Sequence, residues 1–440
     1  MQLYSAHLAG WAAPADVFAQ FYSSEPYAFW LDREHHIDEP FSVMGAGTPE
    51  IFSIDGVGSI GRVVGNPQIA VAGDAVGDLS LPFSWRPGLV GCLNYELDSL
   101  HAFISVDRAI IFDHRDKSMY FVGLFESQKA FSAWHRAALL RLTLVGGQQS
   151  IYRNRFRADQ VTFSAQLRHS PSQYLGMIDS AQRHIEAGDV YQICLTNQVT
   201  LNSTADPLFT FLALREQNPA PYSAYLRFGD KAVVSSSPEQ FLKLGASGRL
   251  STKPIKGTRG RGADDLTDAT IAAELKSNVK ERAENLMIVD LMRNDLSRVA
   301  EIDSVRVPAL FEVETYATVH QLVSTVTAQL KDDLDISAVL ASAFPGGSMT
   351  GAPKIRAMEI ISDLESGPRG VYSGALGYIG VDGSAEFGMT IRTLVFESGQ
   401  VSLGVGGGIT SDSDPDAELA ETELKAQALL KVLNAPNPWS

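Results

Sequence analysis

The chain has 440 residues, 45% hydrophobic and 20% charged, with 36 Lys and Arg against 51 Asp and Glu. That is chain enough for two or three ordinary domains, or one large interleaved body. A formal net charge of -15 excludes a broad nucleic-acid footprint, the 2 cysteines exclude a disulfide framework or cysteine-rich zinc site, and no apolar run is long enough to span a membrane.

The first residues lack the charged start and continuous apolar core of a signal peptide, so a reducing, cytoplasmic compartment is expected. Residues 1–155 read as short strands at 27–31, 51–54, 109–112 and 119–124, the last two flanking a hairpin loop. Residues 88–91 lead into 93–97, a strand running into a helix start. Residues 130–144 read as a helix ended by Gly146 and Gly147. His35 and His36 cannot share one helix face, so they read as polar loop rather than metal ligands.

The chain turns polar over 155–170, a connection to a second part at 165–435. Pro171 opens an amphipathic helix with Tyr174, Met177, Ile178, Ala181 and Ile185 at helical spacing, capped by Gly188. Strands follow at 190–195, 223–226, 232–235, 241–244 and 249–254. Helices at 266–295, 336–342 and 353–364, strands at 373–380 and 387–397, a strand and glycine loop at 401–409, and a helix at 415–433 complete the pattern.

Residues 254–262 pack Lys256, Thr258, two arginines and three glycines into a basic loop, where a lysine that loses its proton can be a nucleophile. Glu281 and Glu284 stand three residues apart on one predicted helix, and Glu418 and Glu421 repeat the spacing on the last. Such like-charged pairs read either as solvated faces or as oxygen ligands for a hard cation such as magnesium. Residues 344–356 form a glycine-rich loop entering a helix, without the spacing of a Walker A loop. Residues 404–410 read as a backbone nest or a glycine-rich strand bend. Arg392 is a charge inside an apolar strand pattern, and His320 reads as a core or a site histidine.

In order, residues 237–239, 254–259, 284–295, 346–354, 391–392, 404–410 and 418–425 resemble the motifs of the chorismate-utilising enzyme family. The first part resembles the family's more variable amino-terminal region, residues 88–97 matching best. The resemblance implies an α/β (α+β) fold like anthranilate synthase component I: two mainly antiparallel sheets, helices outside, both parts interleaved. Members that add water carry a lysine base where Gln192 stands, so this chain is expected to use ammonia. Members that make anthranilate typically have alanine where Lys256 stands; aminodeoxychorismate synthases read Pro-Ile-Lys-Gly-Thr, as here.

The implied reaction is amination of chorismate at C4, giving 4-amino-4-deoxychorismate for p-aminobenzoate and folate synthesis. By resemblance, Glu284 and Glu421 would hold Mg2+, with Glu281 and Glu418 near or through water. Neutral Lys256 would attack C2 while Glu239, its pKa raised, protonates the departing C4 hydroxyl; ammonia then expels the lysine. Gln192, Thr258 and His320 would lie by the ring. Arg392, Tyr378, Lys425, Thr350, Gly351 and the backbone of Gly406, Gly407 and Gly408 would hold the substrate. No amidotransferase triad is visible, so ammonia is expected from a separate glutamine amidotransferase subunit or free ammonium. Conversion to p-aminobenzoate would need another enzyme. The alternatives are an anthranilate synthase component I and, in another class, a non-catalytic regulatory or scaffold homologue.

Overall fold

The computed structural model describes residues 1–54, 60–64, 81–148, 150–152 and 162–440. Residues 155–161 of the expected polar connection lie outside them, and strand Thr162–Leu167 occupies most of the rest.

Two large sheets carry the fold, and every strand pair in them is antiparallel among the described residues. Both sheets draw strands from both parts of the chain. In the first, Tyr27–Asp32 pairs with Tyr222–Phe228, setting Trp30 opposite Tyr225. In the second, Gly88–Leu93 pairs with Ala375–Gly380, setting Gly91 opposite Gly377, where a Cβ would meet the Glu386 carbonyl at 1.8 Å. Strands covered on both faces are near-continuously buried, as in Phe41–Ala46 and Ser118–Phe125.

Leu31, Val43, Val90, Ile104, Leu226 and Leu376 fill the space between the sheets. Outside the first sheet, helices Pro14–Phe21, Pro207–Gln217 and Pro415–Val432 bury Phe18, Phe211 and Leu429. Outside the second, helices Val279–Ser297 and Ile336–Ala343 bury Ile288, Met292 and Leu340. The expected sandwich, two mainly antiparallel sheets with helices outside, is the architecture observed. No helix among the described residues is long and apolar enough to cross a membrane.

Several elements differ from the sequence reading. Residues 95–99 turn rather than start a helix, and the chain returns as strand Leu100–Val106. The helix expected at 266–295 is two, Asp265–Ser277 and Val279–Ser297, broken at extended Asn278, whose side chain accepts from the Glu281 N–H at 3.1 Å. The basic loop is a strand, Ile255–Gly260, against Val319–Gln329. The glycine loop is also a strand, Gln400–Ile409, paired along ten positions with Gln192–Ser203. The strand expected at 387–397 is two strands in different sheets, Ala385–Met389 and Thr393–Glu397.

Candidate active site

Among the places where the chain crosses between the sheets, two are neighbours, and the site lies there. Strand Lys231–Ser237 belongs to the first sheet and Gln240–Leu244 to the second, so Glu239 sits on the crossing. Arg392 sits on the other, between Ala385–Met389 and Thr393–Glu397. The crossings bond to each other, Met389 N–H to the Glu239 carbonyl at 3.0 Å and Ser236 N–H to the Arg392 carbonyl at 3.1 Å.

Arg392 adopts φ 50°, a left-handed conformation that costs a residue with a Cβ about 1–3 kcal/mol. Burial depresses its pKa against the pull of Glu239, and no ion pair reaches its guanidinium among the described residues. A half-buried guanidinium without an ion pair is a seat for an anion. Burial pushes the Glu239 carboxyl up to about 7, although Ser348, Lys256, the Ile255 N–H and Arg392 all pull it down. The expected raised pKa is present.

Lys256 reaches the site because its strand slips register between Ile255 and Thr258. Gly257 occupies the slip with φ 81°, and a Cβ there would lie 2.9 Å from both Glu281 Cδ and Leu275 Cδ1. Lys256 Nζ stands 3.4 Å from Glu284 Oε2. Burial lowers the Lys256 pKa, but Glu284, with Cys194 and Glu239 adding, outweighs burial and holds it raised. The neutral amine expected from sequence is therefore an ammonium in this arrangement.

Gly408 makes the meeting of Lys256 and Gln192 possible. A Cβ there would lie 2.5 Å from Gln192 Nε2 and 2.9 Å from Lys256 Nζ. Gln192 is 1% exposed and, among the described residues, its Oε1 has no hydrogen-bond partner, a buried acceptor open to a donor.

Glu284 and Glu418 come from two helices towards one gap. Lys280 Nζ lies 3.9 Å from Glu284 Oε1 and 3.7 Å from Glu418 Oε1. Burial, with the charges of Glu421 and Glu284, raises the Glu418 pKa despite Ser413 and Lys280. Burial would raise Glu421 too, but Lys425 at 2.8 Å holds it low. Glu281 pairs with Arg259 at 3.2 Å. Among the described residues no three His, Cys, Asp or Glu side chains stand as a ready metal cluster. The donors nonetheless fit a hard cation: all are carboxylates, and Glu284 and Glu418 are buried, with lysines and the Ser413 hydroxyl offsetting their charge.

Other expected site residues are placed differently. His320 is 2% exposed, with Nδ1 on Thr315 at 2.9 Å and Nε2 on Asp268 at 2.8 Å, so both ring nitrogens support the lysine strand's far end. Thr258 is exposed beside Gln321. The Thr350 hydroxyl donates within its own loop, to Gly346 at 3.3 Å or Gly347 at 3.4 Å. Gly351 is required where a Cβ would meet the Gln192 carbonyl at 2.1 Å. Tyr378 belongs to a buried network with Arg33 and Glu386, not to the group around Lys256. Lys425 bonds the Gly406 carbonyl at 2.8 Å, Gly407 faces Glu418, and Gly408 faces Lys256.

Three residues join the picture that sequence reasoning did not single out. Ser348 lies against Glu239. The Tyr372 ring covers Gly404, where a Cβ would come within 2.1 Å of ring carbons. Gln321, 1% exposed, has an unpartnered Oε1 one strand from Thr258. The polar pair His320 and Gln321 inside an otherwise apolar run was the available signal for Gln321; Tyr372 carried none.

A half-buried lysine, a carboxyl near neutrality and an arginine without an ion pair among the described residues, framed by glutamate helices, define an enzyme site for a small anion. The chain belongs to the chorismate binding enzyme family, whose model matches residues 72–431. It is 46% identical over 373 residues to aminodeoxychorismate synthase of Streptomyces griseus, covering 81% of this chain and 52% of that one. It is 38% identical over 374 residues to aminodeoxychorismate synthase component 1 of Klebsiella aerogenes, covering 84% and 79%. The chain thus spans little more than half of the Streptomyces relative. The crystal structure of anthranilate synthase component I from Streptococcus pneumoniae superposes with TM-score 0.75 at 26% identity, covering 89% of this chain and 92% of that one.

Proposed function

We propose that this chain aminates chorismate at C4, yielding 4-amino-4-deoxychorismate for p-aminobenzoate and folate synthesis. The observation that carries the proposal is the meeting of Lys256 and Gln192 over Gly408, with Glu239 protonatable near neutrality. A substrate carboxylate would satisfy the Arg392 guanidinium. Lys256, once deprotonated, bonds to C2; the ring double bonds shift and the C4–O bond breaks. Glu239 gives its proton to the departing oxygen, which leaves as water. Ammonia bonds to C4, the double bonds shift back, the C2–N bond to Lys256 breaks, and Glu239 recovers a proton from the new amine. Gln192 Oε1, a buried acceptor that cannot deprotonate water, suits an incoming N–H donor.

Glu284, Glu418 and Glu421 would hold magnesium, which when bound would act as a Lewis acid on the ring carboxylate and take up the Glu284 charge that keeps Lys256 protonated. Ammonia would come from a separate glutamine amidotransferase subunit, and the reaction would run in the cytoplasm.

The test is product identification by mass and ultraviolet absorption after incubation with chorismate, magnesium and ammonium. 4-Amino-4-deoxychorismate is expected, and adding a glutamine amidotransferase subunit should let glutamine replace ammonium. Fluorescent anthranilate formed without a lyase would overturn the assignment.

A further inference from the structure

The segment around Tyr95, the clearest motif of the first part, takes no direct part in the chemistry above, yet it ends beneath the site. There it meets Arg369, 5% exposed, just past helix Lys354–Glu365. The Arg369 guanidinium spends its N–H groups on three separate segments. Nη1 donates to the Met349 carbonyl at 2.6 Å, Nη2 to the Cys194 carbonyl at 2.8 Å and Glu365 Oε1 at 2.7 Å, and Nε to Glu365 Oε2 at 2.8 Å. Glu365 Oε1 also accepts the Thr196 N–H at 2.7 Å and hydroxyl at 2.9 Å. The Tyr95 ring lies 4.3 Å from the guanidinium carbon. The Glu96 carboxylate accepts the backbone N–H groups of Arg369 at 2.7 Å and Gly370 at 3.0 Å.

The segments so joined carry the chemistry. Met349 follows Ser348, which lies against Glu239; Cys194 is two residues past Gln192, which meets Lys256. We propose that Arg369 is a positioning residue: its planar fork fixes the Ser348 loop against the Gln192 strand and so sets the acid relative to the nucleophile. A guanidinium holds two carbonyls at one fixed separation because its donors lie in a rigid plane. A lysine ammonium has no such fork. Displacing reacting groups by about 1 Å can cost on the order of 100-fold in rate. Tyr95 covers the fork and Glu96 anchors the backbone that carries it, which gives the amino-terminal part a task at the site.

This proposal rests on the function proposed above. It is tested with Arg369→Lys and Arg369→Met in the full chain, counting active sites by the chorismate adduct each variant retains. In Arg369→Lys, kcat per site should fall roughly 10- to 100-fold, with KM for chorismate changed less than about threefold. The high-pH limb of kcat should also rise, because Glu239 loses Ser348 while still facing Lys256, Arg392 and the Ile255 N–H. Arg369→Met should lose more than Arg369→Lys if it folds; Arg369→Lys carries the test if it does not. Unchanged kcat per site in Arg369→Lys, or a loss confined to KM, would overturn the proposal. If the wild type turns over no chorismate, the functional reading fails separately. Positioning is then read from infrared titration of the Glu239 carboxyl against Glu239→Gln: an upward shift in Arg369→Lys supports it, and no shift overturns it.

Discussion

Two of the charged groups among the described residues differ in how fully they are paired. In the first, Arg33 meets Glu386 at 2.7 Å, the Tyr222 hydroxyl lies 3.1 Å from Glu386, and Lys243 stands 3.6 Å away. Burial alone would raise Glu386, but Arg33, Lys243 and His36 bring it down to about 2. In the second, burial pushes Glu239 up to about 7, Arg392 lacks an ion pair, and Gln192 keeps an open acceptor. The first group joins the amino-terminal part to strands of both sheets, with each charge answered. The second leaves charges and lone pairs unanswered, and such residues are where a ligand gains most by binding. Completeness of pairing, more than burial, separates stitching from chemistry here.

The comparison can be broken by substitutions on each side. Lys256→Ala should lower C4 amination by at least about 10³-fold while leaving the denaturation midpoint nearly unchanged, read from product formation and urea titration. Glu239→Gln should cost about 10²- to 10⁴-fold in kcat. Wild-type kcat should fall as pH rises through about 7, because the acid must carry its proton. Glu386→Leu should instead cost about 3–5 kcal/mol of stability by stranding Arg33, with kcat per folded molecule retained. Adding Arg33→Met should recover much of that loss. If Glu386→Leu cost activity and Lys256→Ala cost stability, the division of labour would be inverted.

The two carboxylates also bend the pH–stability curve in opposite senses. Glu386 is depressed from 4.5 to about 2, so its contribution is present above 4.5 and lost as pH falls through about 2. Glu239 is raised from 4.5 to about 7, so its contribution is present below 4.5 and lost as pH rises through about 7. Urea denaturation across pH should show the second slope vanish in Glu239→Gln. The smallest contrast lies within one strand. Gly408→Ala would press on the movable ends of Gln192 and Lys256 and cost activity; Gly406→Ala would press on the Leu195 carbonyl at 2.2 Å and cost stability.

Much of this was legible in the sequence. The glutamate spacing on two helices, the glycine-rich loop into helix Lys354–Glu365 and most strands in the second part follow from local periodicity. What was hidden depends on pairing between distant segments. Residues 404–408 look like a loop because glycines disfavour strands, yet they pair as one; Tyr372, the Leu195 carbonyl and Lys256 stand where a Cβ of Gly404, Gly406 and Gly408 would. Arg392 looked like a strand residue because its apolar neighbours continue on both sides; the change of sheet between Met389 and Thr393 is a tertiary event. Tyr378 and His320 were drawn to the site by resemblance, while the partners that hold them, Glu386 and Asp268, come from other elements.

The central claim is that Lys256 is the nucleophile. Incubating the protein with chorismate and magnesium but without ammonium, followed by denaturation and peptide mass mapping, tests it most directly. The account predicts an adduct of chorismate less one water on the peptide carrying Lys256, absent in Lys256→Ala and discharged as 4-amino-4-deoxychorismate when ammonium is added before denaturation. Full amination by Lys256→Ala, or an adduct on another residue that discharges equally well, would contradict it.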